Sequence, residues 1–106
     1  MKTCLENVRC MAPLIHNITN YVTANDVANV LLACGASPIM ADEEAEVEEI
    51  TAHCQGLNLN LGTLHQKKIP AMVKAGKMAN NLGHVVVLDP VGVGASSFRK
   101  QTVEQL

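Results

Sequence analysis

Val85-Val86-Val87-Leu88 is an unbroken apolar run, three-quarters β-branched, and Asp89-Pro90 cuts it off. Adjacent valines are crowded in a helix and pack well on a pleated surface. The run shows no polar alternation, so the strand it predicts is buried on both faces. Such strands belong to parallel sheets flanked by helices, and that requirement organises the rest of the chain. Asp89, which precedes a proline, is pushed out of the helical region, so the strand ends in a loop.

The segments before it alternate in the same way. Residues 1–13 read as a lead-in, and Leu14-Ile15 starts a short strand or an ordered loop. From Thr19 to Ala33, Val22, Val27, Val30, Leu31 and Cys34 form a helical stripe, with Thr19 or Asn20 as its cap and Gly35 as its stop. Ser37 to Met40 reads as a short buried strand. Asp42 then caps a helix along which Val47, Ile50 and Cys54 recur. Leu57, Leu59 and Leu61 alternate with Asn58 and Asn60, the mark of a strand with two unlike faces. Gln66 to Asn81 reads as a helix with Ile69, Met72, Val73, Gly76 and Ala79 inward and Pro70 near its first turn. The rhythm is βαβαβαβ, with connections long enough for right-handed crossovers. It predicts an α/β fold with a mainly parallel sheet.

Composition narrows the partners. Hydrophobic residues make up 48% of the chain, too many for a disordered segment, while aromatics at 2% leave little for base stacking. Lys67, Lys68, Lys74 and Lys77 read as a solvated helix face, as do the acids between Asp42 and Glu49, so no nucleic-acid partner is expected. Cysteines 4, 10, 34 and 54 form no CxxC pair, which fits a reducing cytoplasm. Neither a secretory leader pattern nor an apolar run near membrane-spanning length is visible, so no membrane association is expected.

Several residues are placed to do chemistry. Asp89 follows the strongest strand, and open parallel sheets bind ligands beyond the carboxyl ends of their strands. Two readings stand for it: a carboxylate that holds Mg²⁺ or orients a phosphate-bearing ligand, and an Asx cap over the next turn. Gly92 and Gly94 lie in Gly92-Val93-Gly94-Ala95-Ser96-Ser97, either a plain turn or a loop that cradles phosphate with backbone N–H groups. The set lacks the spacing of a dinucleotide-binding or P-loop motif. His16-Asn17-Ile18-Thr19-Asn20 is dense in hydrogen-bonding groups, with His16 more at home as a structural partner than as a base. Met40 ends a strand on the ligand side and suits either an apolar ring pocket or the core. Asn60, Gly62 and Thr63 occupy the equivalent edge of the next strand. Histidines 16, 53, 65 and 84 lack metal-ligand spacing.

The runs Pro13–Tyr21, Gly35–Met40, Leu59–Leu64, Ala71–Asn80 and Val87–Arg99 together resemble the N-terminal part of the hydroxyethylthiazole kinase family. The His16–Tyr21 and Gly35–Met40 runs are the specific ones, since related kinases share strand ends like Asp89-Pro90-Val91-Gly92. The resemblance implies a ribokinase-like three-layer αβα fold, with residues 1–106 as the N-terminal portion of a single kinase domain. It implies transfer of the ATP γ-phosphoryl to the hydroxyl of 5-(2-hydroxyethyl)-4-methylthiazole in thiamine salvage, with ATP and Mg²⁺ as cofactors and a homotrimer as the assembly. It places Met40, Asn20, Asn60, Gly62 and Thr63 at the substrate, Asp89, Gly92 and Gly94 at the nucleotide, and Asp89 at the metal. The family's remaining ATP and anion-hole residues fall beyond Leu106, so the segment alone is expected to be inactive. Val93, Asn58 and Asp26 depart from the family's usual alanine, apolar and aromatic residues. The competing reading is a non-catalytic small-molecule-binding or oligomerisation module derived from such a kinase.

Overall fold

The computed structural model describes residues 2–106. Its elements run α1 (Lys2–Met11), β1 (Leu14–Ile18), α2 (Ala24–Cys34), β2 (Ser37–Met40), α3 (Val47–His53), β3 (Gly56–Asn60), α4 (Lys68–Asn81), β4 (Val85–Asp89), a 3₁₀ turn (Val93–Ala95) and α5 (Ser97–Gln105). The four strands form one sheet in the order β2-β1-β3-β4, and every neighbouring pair is parallel. The predicted α/β architecture is therefore present.

Period-two alternation divides the sheet into two faces. Ile18, Leu57 and Leu59 point to one face and meet Val47 of α3 and Ala71, Met72, Ala75 and Ala79 of α4, with Val86, Leu88 and Val103 packed alongside. The small residues of α4 let that helix lie close on the sheet. The other face carries Ile15, Asn17, Asn58, Val85 and Val87, and α2 covers only part of it. A groove of about 630 Å³ remains between α2 and β4.

This groove corrects the expectation for β4. Val86 and Leu88 pack into the core, but Val85 is 70% and Val87 57% exposed. β4 is an edge strand, and among the described residues nothing covers its second face. The two polar departures from the family pattern fall here too. Asn58 donates from Nδ2 to Asn17 Oδ1 at 3.1 Å, and Asp26 lines the groove.

Three other expectations shift. Asp42 does not cap the following helix: α3 starts at Val47 without a side-chain cap, and the Asp42 carboxylate accepts from the Tyr21 hydroxyl. The lead-in is a helix, α1, most of whose side chains are exposed, although Cys4, Leu5, Val8 and Met11 recur at helical spacing. The helix expected from Thr19 begins at Ala24, because Asn20 Oδ1 accepts from both Thr23 N (2.9 Å) and Thr23 Oγ1 (3.0 Å) and holds the chain in a turn.

Gly35 ends α2 as the sequence predicts. Its φ is +97°, Gly35 N–H donates to Leu32 O and Ala36 N–H donates to Leu31 O, the paired bonds of a Schellman cap. A Cβ there would sit 2.9 Å from Arg9 Cα and Cγ, so glycine also admits α1. Gly35→Ala is expected to cost about 2–3 kcal/mol from left-handed strain plus the clash. A fall in urea midpoint at unchanged slope checks it; an unchanged midpoint contradicts it.

Candidate active site at the sheet's switch point

Strand order 2-1-3-4 reverses direction between β1 and β3. The β1–α2–β2 unit crosses on one face, and α3 and α4 return on the other. Loops leaving adjacent strands toward opposite faces part at that point and open a crevice beyond their carboxyl ends. The residues leaving β1 are Thr19-Asn20, those leaving β3 are Leu61-Gly62-Thr63, and Asp89 ends β4 beside them.

A chain of side-chain hydrogen bonds spans this crevice. Asn20 donates from Nδ2 to Asn60 Oδ1 at 3.2 Å, and Asn60 donates from Nδ2 to Asp89 Oδ2 at 3.1 Å. Gly62 N–H donates to Asn60 Oδ1 at 2.8 Å. The amide orientations are unambiguous, because Gly62 N–H needs an oxygen and the Asp89 carboxylate needs a donor. Parallel register places Asn60 opposite Asp89, so the two side chains share a face. Gly62 is buried against this network: a Cβ there would lie 2.7 Å from Asn20 Nδ2 and 2.9 Å from Asn60 Oδ1. Thr63 follows with φ +49°, a left-handed conformation that β-branched residues rarely take.

The structure thus brings Asn20, Asn60, Gly62 and Asp89 together, with Thr63 next in the chain. Met40 stands apart. It lies at the end of β2, three strands from β4 and so about 14 Å away across the sheet. It lines a small cavity of about 60 Å³ with Asn17, Thr19, Tyr21, Ala24, Ala41 and Asp42. The hydroxyl of Thr19 is buried there without a protein partner.

The glycine loop sits on the far side of Asp89. Gly92 has φ +70° and Arg99 Nη1 donates to Val91 O at 2.8 Å, pinning the loop. The loop's own turns use the N–H groups of Val91, Val93 and Ala95. Gly94 has open space around it and no steric need to be glycine. The Ser96 side chain accepts from Arg99 N and caps α5.

His16 proves structural. It is fully buried, with Nδ1 2.7 Å from Thr51 Oγ1 and Nε2 2.8 Å from Ala41 O. The carbonyl can only accept, so Nε2 carries the proton and Nδ1 accepts from the Thr51 hydroxyl. Burial pushes its pKa below the ordinary 6.5.

The sequence reading missed Lys68. Expected on a wet helix face, it is buried, donates from Nζ to Thr19 O at 3.1 Å and sits 4.4 Å from the centre of the Tyr21 ring. The Tyr21 hydroxyl donates to Asp42, which raises the phenol's pKa. The signal was available: Lys68 shares helical spacing with Met72, Ala75 and Ala79. Lys74 does face outward, 3.1 Å from Glu44.

Asp89 fits a hard cation: an exposed carboxylate at a strand end with one oxygen anchored by an amide. No cluster of three His, Cys, Asp or Glu side chains able to hold a metal occurs among the described residues. Mg²⁺ suits such a place, since it keeps several waters and takes one or two carboxylates plus phosphate oxygens. No helix among the described residues is long and apolar enough to cross a membrane.

A parallel αβα sheet with a carboxylate and a glycine loop beyond its strand ends is that of a ribokinase-like protein. The model of the hydroxyethylthiazole kinase family matches residues 5–106. The chain belongs to the hydroxyethylthiazole kinase family. It is similar to the hydroxyethylthiazole kinase of Clostridium acetobutylicum, 68% identical over 106 residues that cover 100% of this chain and 39% of that protein. The hydroxyethylthiazole kinase of Alkaliphilus metalliredigens is 55% identical over 102 residues, 96% of this chain and 38% of the relative. The solved hydroxyethylthiazole kinase of Pyrococcus horikoshii superposes with a TM-score of 0.95 at 47% identity, covering 99% of this chain and 42% of that one. The chain therefore spans about two fifths of the length of the curated relatives it matches.

Proposed function

We propose that the whole protein transfers the γ-phosphoryl group of ATP to the hydroxyl of hydroxyethylthiazole, and that residues 1–106 are the N-terminal portion of that single kinase domain. The observation that carries this reading is the anchored Asp89 carboxylate at the switch-point crevice of a chain in this family. Asp89 would hold Mg²⁺ through water or directly, and Gly92 and Gly94 would admit phosphate oxygens close to the backbone. Bound there, Mg²⁺ neutralises the charge on the β- and γ-phosphate oxygens. The protein's own share is positioning and water exclusion.

Asn20, Asn60, Gly62 and Thr63 shape the acceptor side. Asn20 and Asn60 each have both oxygen lone pairs taken and one amide N–H left. They can donate to a ligand and cannot accept from it, which suits the lone pairs of a thiazole ring or an alcohol oxygen. Met40 supplies an apolar wall. The proposed assembly of the whole protein is a homotrimer, as the resemblance implies. The free cysteines fit a cytoplasmic setting.

The test is ADP release by the whole protein with Mg²⁺–ATP, with and without hydroxyethylthiazole. Alcohol-dependent release is expected. Thiazole binding without ADP release would favour a non-catalytic binding module instead. Met40→Asp is expected to weaken thiazole binding at least about tenfold by setting a charge against an apolar ring. Unchanged affinity by calorimetry would remove Met40 from the pocket.

A further inference from the structure

We infer that Asn60 is a positioning residue for Asp89, the third member of a relay that runs from Thr23 through Asn20 and Asn60 to the carboxylate. The inference rests on the kinase reading and gives Asn60 a role in addition to substrate contact. Every polar atom in the relay can be accounted for. Thr23 N and Oγ1 donate to Asn20 Oδ1, which fills its two lone pairs. Asn20 Nδ2 and Gly62 N donate to Asn60 Oδ1, which fills those two. The Asn60 amide is therefore fixed by two donors from two different loops, and one of its two N–H groups donates to Asp89 Oδ2 at 3.1 Å.

Asp89 needs this support. It sits at the end of an edge strand, its side chain is exposed, and Pro90 follows, so no backbone N–H of residue 90 is available to hold the carboxylate. A carboxylate with one oxygen tethered presents the other in a fixed direction. Partners of metal-binding carboxylates act in this way, and losing one costs about 10–100-fold in metal affinity or activity. The relay also links the two loops of the switch-point crevice to the metal side, so ordering of either loop is felt at Asp89.

Asn60→Ala in the whole protein tests the point. The variant removes the donor to Asp89 Oδ2 and adds no charge and no new metal ligand beside it. Mn²⁺ serves as the probe, with its uptake in the presence of ATP followed by electron paramagnetic resonance. Expected are a loss of about 10–100-fold in Mn²⁺ affinity and a comparable fall in kcat. Gly62→Ala is the second variant. It leaves the Asn60 side chain intact and pushes it aside, so it should lower Mn²⁺ affinity in the same direction. Wild-type Mn²⁺ affinity in Asn60→Ala, with or without a raised KM, overturns the inference; so does a wild-type protein that takes up no Mn²⁺ with ATP. If Mn²⁺ affinity falls as expected while the wild type transfers nothing to the alcohol, the kinase reading fails and the positioning role stands.

Discussion

Asp89→Asn in the whole protein is expected to lower kcat for phosphoryl transfer to hydroxyethylthiazole by about 10²–10³-fold, the range for removing one preorganised electrostatic contact to a reacting group. The substitution is isosteric, so β4 and its pairing with β3 remain. What disappears is the negative charge at the strand end. The new amide can still turn its oxygen toward Asn60 Nδ2, so the relay survives while the cation site does not. KM for the alcohol should change little, because Asp89 is assigned to the phosphoryl side. Steady-state kinetics check this, and a kcat within a few-fold of wild type would remove Asp89 from the chemistry.

His16→Leu is expected to cost about 3 kcal/mol of stability. The imidazole satisfies two buried groups from two different elements, the Thr51 hydroxyl of α3 and the Ala41 carbonyl after β2. Leucine would leave both unpartnered, at about 1–3 kcal/mol each. The pH dependence follows from the same contacts. Burial lowers the folded pKa below 6.5, so the unfolded chain binds a proton that the folded chain refuses. The contribution is fully present above pH 6.5 and is lost as pH falls through the folded value. Urea midpoints from pH 7.5 to pH 5 should decline in the wild type and decline less in His16→Leu. Parallel slopes would contradict the assignment.

Local pattern made the sheet and its helices legible. Leu57 and Leu59 alternate with Asn58 and Asn60, Gly35 stops α2, and Pro70 sits in the first turn of α4. What escaped depended on partners far along the chain. Val85 and Val87 look as buried as Val86 and Leu88, and they are exposed because they face the side of β4 that no described helix covers. Lys68 occupies an apolar stripe because Thr19 and Tyr21, nearly fifty residues earlier, offer a carbonyl and a ring. α1 was missed although Cys4, Leu5, Val8 and Met11 recur at helical spacing, so that helix was legible in the sequence.

The site was legible in its members and illegible in its wiring. Asn60 and Asp89 were each marked by their position at a strand end. That they touch depends on the register of β3 against β4, which no single segment encodes. Met40 was marked in the same way, yet sheet order sets it three strands from Asp89. The resemblance to a family supplied the chemistry, and the strand order determined which residues one copy can bring to it.

The most direct measurement is ³¹P NMR of the whole protein incubated with Mg²⁺–ATP and hydroxyethylthiazole, alongside Asp89→Asn. A phosphomonoester resonance coupled to the side-chain methylene protons, growing in step with ADP and nearly absent in the variant, is the predicted result. An unaltered ATP spectrum from folded wild-type protein, or an equal phosphomonoester yield from Asp89→Asn, would contradict the account.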